Sequence, residues 1–119
     1  MIERRSEVVG RLVLEDRVEV GRITIEDGTI VDVDLDIDVA VAPAGGHLIA
    51  PGFVDVHCHG WGGHDAMDGA DAMSGMARAL LRHGVTSFLP TAVTASLPTL
   101  AAFAETARAW MASAPSIAS

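Results

Sequence analysis

Lysine is absent from this chain: its eight basic residues are all arginine, set against sixteen acids for a net charge of −8. So acidic a segment makes a poor partner for nucleic acid or for an anionic membrane surface. Cysteine is nearly absent too, and the lone Cys58 excludes an internal disulfide and suits a reducing, cytoplasmic setting. No apolar run approaches the roughly 18 residues of a membrane-spanning helix. The start, Met1 to Glu7, is charged with no apolar segment behind it, so no signal peptide is expected. Phosphate-cradling fingerprints are also missing, because no G-x-G-x-x-G follows a strand and no Gly-Lys-Ser/Thr occurs. Neither Cys58 nor any serine sits in a nucleophile elbow, which removes the simplest covalent chemistry.

Apolar material, by contrast, is plentiful: half of the residues are hydrophobic, ample for a core and enough to leave sticky surface if partners are missing. The acids are uneven, with 11 of the 16 in residues 1–40, which reads as a solvated outer face. In that part, Val8 to Leu14 and Val18 to Val20 form short β-type runs. Arg22 to Glu26 alternates and meets Asp27-Gly28, a tight hairpin turn needing positive φ, with a return strand over Thr29 to Val39. From Val31 the alternation is strict and places Asp32, Asp34, Asp36 and Asp38 on one face. A calcium loop starting at Asp32 would need glycine sixth and glutamate twelfth, but Ile37 and Pro43 stand there. Ala42-Pro43-Ala44-Gly45-Gly46 is a linker by composition, and the isolated His47 beyond it reads as a surface or turn residue.

Ala50-Pro51-Gly52-Phe53-Val54-Asp55-Val56-His57-Cys58-His59-Gly60 carries the chemistry. A strand from about Leu48 to Val56 delivers His57 and His59 from its end on one side, since side chains alternate. Two imidazoles aimed at one point look like half of a metal site, with a purely structural pair as the alternative that spacing and composition alone favour. By spacing alone the pair is weak evidence, because five histidines in this chain would give about 0.2 such pairs by chance. Cys58 points the opposite way and reads as packed rather than ligating. The glycine-rich Gly60 to Gly69 allows close backbone approach to a ligand, with Gly62, Gly63 and His64 as candidate substrate contacts and Asp65 and Asp68 at the mouth. Trp61 either covers the apolar face of a sugar or packs inward. Helical spacing then begins at Ala70, with Met73, Met76, Ala77, Leu80 and Leu81 on one face and His83-Gly84 as the stop. Val85 to Leu89 is a second parallel strand, and Thr91 just beyond it falls at the site rim as a fourth candidate substrate contact. Ser96 is the expected N-cap of a second helix with Leu100, Phe103, Ala104, Ala107, Trp110 and Met111 on its apolar face.

Leu48 to Gly60 resembles the first barrel strand of the amidohydrolase superfamily of metal-dependent hydrolases. Trp61 to Gly69 and Arg82 to Thr91 narrow the resemblance to its branch that deacetylates N-acetylglucosamine 6-phosphate. The fold so implied is α/β: the first two βα units of a metal-dependent (β/α)8 barrel in residues 49–119, preceded in residues 1–48 by a β-sheet that is one part of a composite β-sandwich. Such a barrel runs to ~250 residues, so this stretch holds it only in part. The resemblance implies one or two divalent ions, zinc or iron, with His57 and His59 as ligands. It also implies an amino-sugar phosphate as small-molecule partner and a homodimer as the assembly. In the family a metal polarises the acetamide carbonyl and activates water while an aspartate shuttles protons. The glutamate, the two further histidines and that aspartate are expected beyond Ser119, so no catalytic acid or base is assigned here and the isolated chain is expected to be inactive. Two alternatives stand beside this reading: a dihydroorotase-like or deaminase-like amidohydrolase, and a noncatalytic chain that self-associates or binds a partner through unclosed strands.

Overall fold

The computed structural model describes residues 4–37 and 46–113, and the chain divides between Pro51 and Gly52 into two compact units. The expected linker from Ala42 lies, but for Gly46, outside the described residues, as do Asp38 and Val39.

The first unit is a four-stranded sheet of order β3-β2-β1-β4, with β1 at Arg5–Val13, β2 at Val18–Glu26, β3 at Thr29–Asp34 and β4 at Leu48–Ile49. β1 and β2 pair antiparallel without interruption from Arg5↔Glu26 to Val13↔Val18. The β2–β3 turn is Asp27-Gly28, with φ of 48° and 81°. Two successive positive φ values make the right-twisting hairpin turn that Asp-Gly favours. β3 departs from strict alternation. Its register against β2 slips, so that Ile25 faces Ile30 and Thr24 faces Asp32, leaving Val31 as a bulge. That extra residue brings Ile30 and Val33 onto one face, although their spacing of three would separate them in a regular strand. The strand then stops at Asp34, with Leu35 to Ile37 outside it, and there the Asp34 carboxylate accepts the Asp36 N–H at 2.9 Å and turns the chain. Val8, Leu12, Ile23, Ile25, Ile30, Val33 and Ile49 line an open groove of about 330 Å³ on one side of this sheet.

The strand expected over Leu48 to Val56 is two strands. Leu48–Ile49 pairs parallel with β1, and β5, Phe53–Cys58, belongs to the second unit. Pro51 has no N–H to donate, so no ladder runs unbroken through Ala50-Pro51-Gly52.

In the second unit β5 pairs parallel with β8, Val85–Pro90, and α1, Ala70–Leu81, makes the crossover. A small hairpin of β6, Gly60–Trp61, and β7, His64–Asp65, leads through a 3-10 turn at Ala66–Asp68 into α1. α1 ends as its glycine stop suggests: the His83 and Gly84 N–H groups return to the Leu80 and Leu81 carbonyls, and Gly84 has φ of 79°. Met73 and Met76 are fully buried, and Met76 packs with Cys58, Ala66 and Leu80 against Val85, Phe88 and Phe103. α2, Leu97–Ser113, starts at Ser96, whose hydroxyl meets the Thr99 N–H at 3.4 Å and the Thr99 hydroxyl at 2.8 Å. Its inner stripe is narrower than expected. Phe103, Ala107 and Trp110 turn inward while Ala104 and Met111 are exposed. Spacing of 103, 107 and 110 is a single helical seam, and Trp110 anchors it by donating its indole N–H to the Ser74 hydroxyl on α1 at 2.9 Å. Phe53, Val54, Val56 and Leu89 on the β5–β8 pair remain exposed, although parallel strands are ordinarily covered on both faces.

Candidate metal centre

β5 ends in Asp55-Val56-His57-Cys58 with His59 just beyond it, and its pleat decides what each side chain meets. Cys58 turns inward and is buried in the α1-facing core. Burial, and after it the Asp55 carboxylate, pushes its thiol above the ordinary range. Its burial in that core turns Cys58 away from the histidines. His57 and His59 leave on the exposed side. Their Nε2 atoms stand 3.0 Å apart, with the rings edge to face at a centroid distance of 4.8 Å.

Backbone and second-layer contacts hold this arrangement. The Asp55 carboxylate accepts the His57 N–H at 3.0 Å, stiffening the strand end between the faces. His59 Nδ1 lies 3.0 Å from the Thr91 carbonyl oxygen. A carbonyl can only accept, so Nδ1 carries the proton and the His59 Nε2 lone pair is free. In the absence of a cation the 3.0 Å contact is then a hydrogen bond from His57 Nε2–H to His59 Nε2. A metal fits the same pair. Two nitrogens at zinc-type bond lengths of ~2.0–2.1 Å and a tetrahedral angle lie about 3.3 Å apart, close to the spacing already present. Among the described residues no third His, Cys, Asp or Glu joins them.

The remaining site residues of the sequence reading are placed as follows. Thr91 adjoins the pair through His59 and Cys58, and its N–H donates to the Cys58 carbonyl at 2.9 Å. Gly62 and Gly63, with φ of 62° and 85°, form the tip of the β6–β7 hairpin. His64 is brought to α1: its ring lies over Gly75, where an added Cβ would sit 2.5 Å from the ring, beside a recess of about 200 Å³ shared with Arg78 and Arg82. No hydrogen bond joins His64 to His57 or His59 among the described residues. Asp65 caps the 3-10 turn by accepting the Met67 N–H at 2.8 Å. Trp61 meets His83 edge to face with centroids 5.7 Å apart. His47 lies in the first unit, where its carbonyl accepts the Arg11 N–H at 3.0 Å. One participant and one role escaped the sequence reading. Gly75, a lone glycine in a helical run, makes room for His64, and that anomaly was the available signal. The double use of Thr91 had none, because it depends on pairing 33 positions away.

The sequence of the chain is similar to those of known proteins. The amidohydrolase family pattern matches residues 48–118. The chain is similar to the N-acetylgalactosamine-6-phosphate deacetylase of Escherichia coli O157:H7, 40% identical over 80 residues that cover 66% of this chain and 21% of that protein. It is also similar to the N-acetylglucosamine-6-phosphate deacetylase of Homo sapiens, 50% identical over 54 residues, covering 42% of this chain and 13% of the human protein. A third, the N-acetylglucosamine-6-phosphate deacetylase of Vibrio furnissii, is 36% identical over 88 residues, covering 70% of this chain and 22% of its own. The chain thus spans about a fifth or less of the length of the curated relatives it matches.

Proposed function

The chain belongs to the amidohydrolase family, and on that premise we propose that it supplies the histidine-pair segment of a hydrolase that removes the acetyl group from an N-acetylhexosamine 6-phosphate. The observation that carries the reading is the convergence of the His57 and His59 Nε2 atoms at 3.0 Å, with His59 fixed from behind by the Thr91 carbonyl. Imidazole pairs buttressed in this way are typical of metal ligands.

His57 and His59 would hold a divalent ion, zinc or iron, which when bound supplies Lewis-acid activation of the acetamide and of water. The chain's own residues position and enclose. Asp55 and Thr91 orient the two ligands, and the Gly62-Gly63 tip, lacking Cβ atoms, lets backbone approach a sugar closely. Arg78 and Arg82 add positive charge beside that hairpin, next to His64. N-acetylglucosamine 6-phosphate is the first choice of substrate, from the human and Vibrio furnissii relatives. The Escherichia coli relative makes its galacto epimer the second.

Fold-level support comes from the parallel β5-α1-β8 unit with the histidines at the carboxyl end of β5, where (β/α)8 barrels carry their sites. Exposed Phe53, Val54, Val56 and Leu89 are the side chains that neighbouring barrel strands and helices would cover. The apolar groove of the first sheet is, in the same reading, the inner face of a β-sandwich completed by further chain.

Amine release from both epimers by the full-length gene product tests the assignment. Metal-dependent turnover of either sugar phosphate, abolished by His59→Ala, is the expected result. Turnover of dihydroorotate or a nucleobase instead would move the protein to another branch of the family.

A further inference from the structure

The geometry points to Thr91 as the positioning residue of the histidine pair, a role distinct from contact with substrate. Four hydrogen bonds converge on it. Its hydroxyl donates to the Leu89 carbonyl at 3.0 Å and accepts the Cys58 N–H at 3.1 Å. Its own N–H donates to the Cys58 carbonyl at 2.9 Å, and its carbonyl receives His59 Nδ1 at 3.0 Å. The hydroxyl proton is therefore committed to the end of β8. Thr91 grips Cys58 from both backbone sides, in the position between the two histidines, and presents its carbonyl to one of them.

The consequence is an asymmetric pair. His59 is preset: its tautomer and ring plane are dictated before any cation arrives, with Nε2 as the unprotonated nitrogen. His57 has no ring hydrogen bond other than that to His59 among the described residues, so it is the member that adjusts. The side-chain grip is what keeps the carbonyl in place. The register of β5 against β8 is irregular between Asp55 and Cys58, so at that end the hydroxyl contact supplements a shifted backbone ladder.

This inference rests on the proposed metal-ligand role only in its second readout, because the tautomer is read without metal or substrate. Imidazole 15N–1H correlation spectra of the metal-free natural protein should show His59 as the Nδ1–H tautomer. Thr91→Val, which keeps the shape and loses the hydroxyl, should mix the His59 tautomers and lower Co2+ affinity by ~10–100-fold, the usual effect of losing an outer-layer contact. Thr91→Ser should restore both. A wild-type His59 in the Nε2–H form overturns the inference outright. So does a Thr91→Val protein that is less stable yet keeps the tautomer and the affinity, since Thr91 would then be structural only. Should Thr91→Val fail to fold, the wild-type spectrum and the Thr91→Ser affinity still decide. Loss of deacetylase activity with an intact Nδ1–H signal would count against the proposed reaction while leaving the positioning role standing.

Discussion

Replacing Met76 by alanine should cost about 3 kcal/mol, within the ~2–5 kcal/mol range for removing a buried methionine side chain. Met76 has no exposed surface and packs with Cys58, Ala66 and Leu80, which come from β5, the 3-10 turn and α1. Those neighbours are backbone-anchored on three different elements, so the space left behind closes poorly and the cost falls well inside that range rather than at its foot. Met76→Leu conserves volume and should cost less than ~1.5 kcal/mol. Met111→Ala is the control: that side chain is 53% exposed on α2, and surface changes stay within ~0.5 kcal/mol. Urea unfolding followed by tryptophan fluorescence is the assay, because Trp110 packs at a tilt against Phe88 in the same unit, 5.7 Å between centroids. With a slope of ~1–3 kcal/mol/M, Met76→Ala should move the midpoint down by roughly 1–3 M. Equal midpoints for Met76→Ala and Met111→Ala would refute the core as described, and with it the base on which Cys58 sets the two histidines.

Further outcomes follow from single contacts. Gly62→Ala combines positive φ with a Cβ 2.8 Å from that of Ala79, so it should destabilise by ~1–3 kcal/mol, more than Gly63→Ala, whose added Cβ meets nothing; thermal melts that reverse this order contradict the hairpin's packing on α1. Gly75→Ala should gain up to ~1 kcal/mol of helix propensity yet push the exposed His64 ring aside; unchanged His64 NMR signals would contradict the stacking. Cys58, buried and held protonated, should resist iodoacetamide at neutral pH in the folded protein and react fully in denaturant, as mass spectrometry can read; rapid modification of folded protein would contradict its placement.

Where local signals agreed with long-range pairing, the fold was legible. Asp27-Gly28 made the hairpin it advertises, the change from period two to helical spacing at Ala70 located α1, and Ser96 capped α2. Alternation also put Cys58 opposite His57 and His59. What failed to be legible was set by partners distant in sequence. Pairing with β2 creates the bulge at Val31, and pairing of Leu48–Ile49 with β1 separates them from β5. The inward seam of α2 follows from the Trp110–Ser74 bond, which turns Met111 outward. At the candidate site, spacing announced the histidine pair, while the second layer at Thr91 and the seat of His64 on Gly75 needed the folded chain.

The central claim is that His57 and His59 act together as metal ligands. Its most direct measurement is metal affinity of the full-length protein, by Co2+ titration, for wild type, His57→Ala and His59→Ala. The account predicts that each substitution weakens binding by more than about 100-fold, beyond what outer-layer changes cost, and removes the bands assigned to imidazole ligation. Affinity and spectrum unchanged in either variant would contradict it.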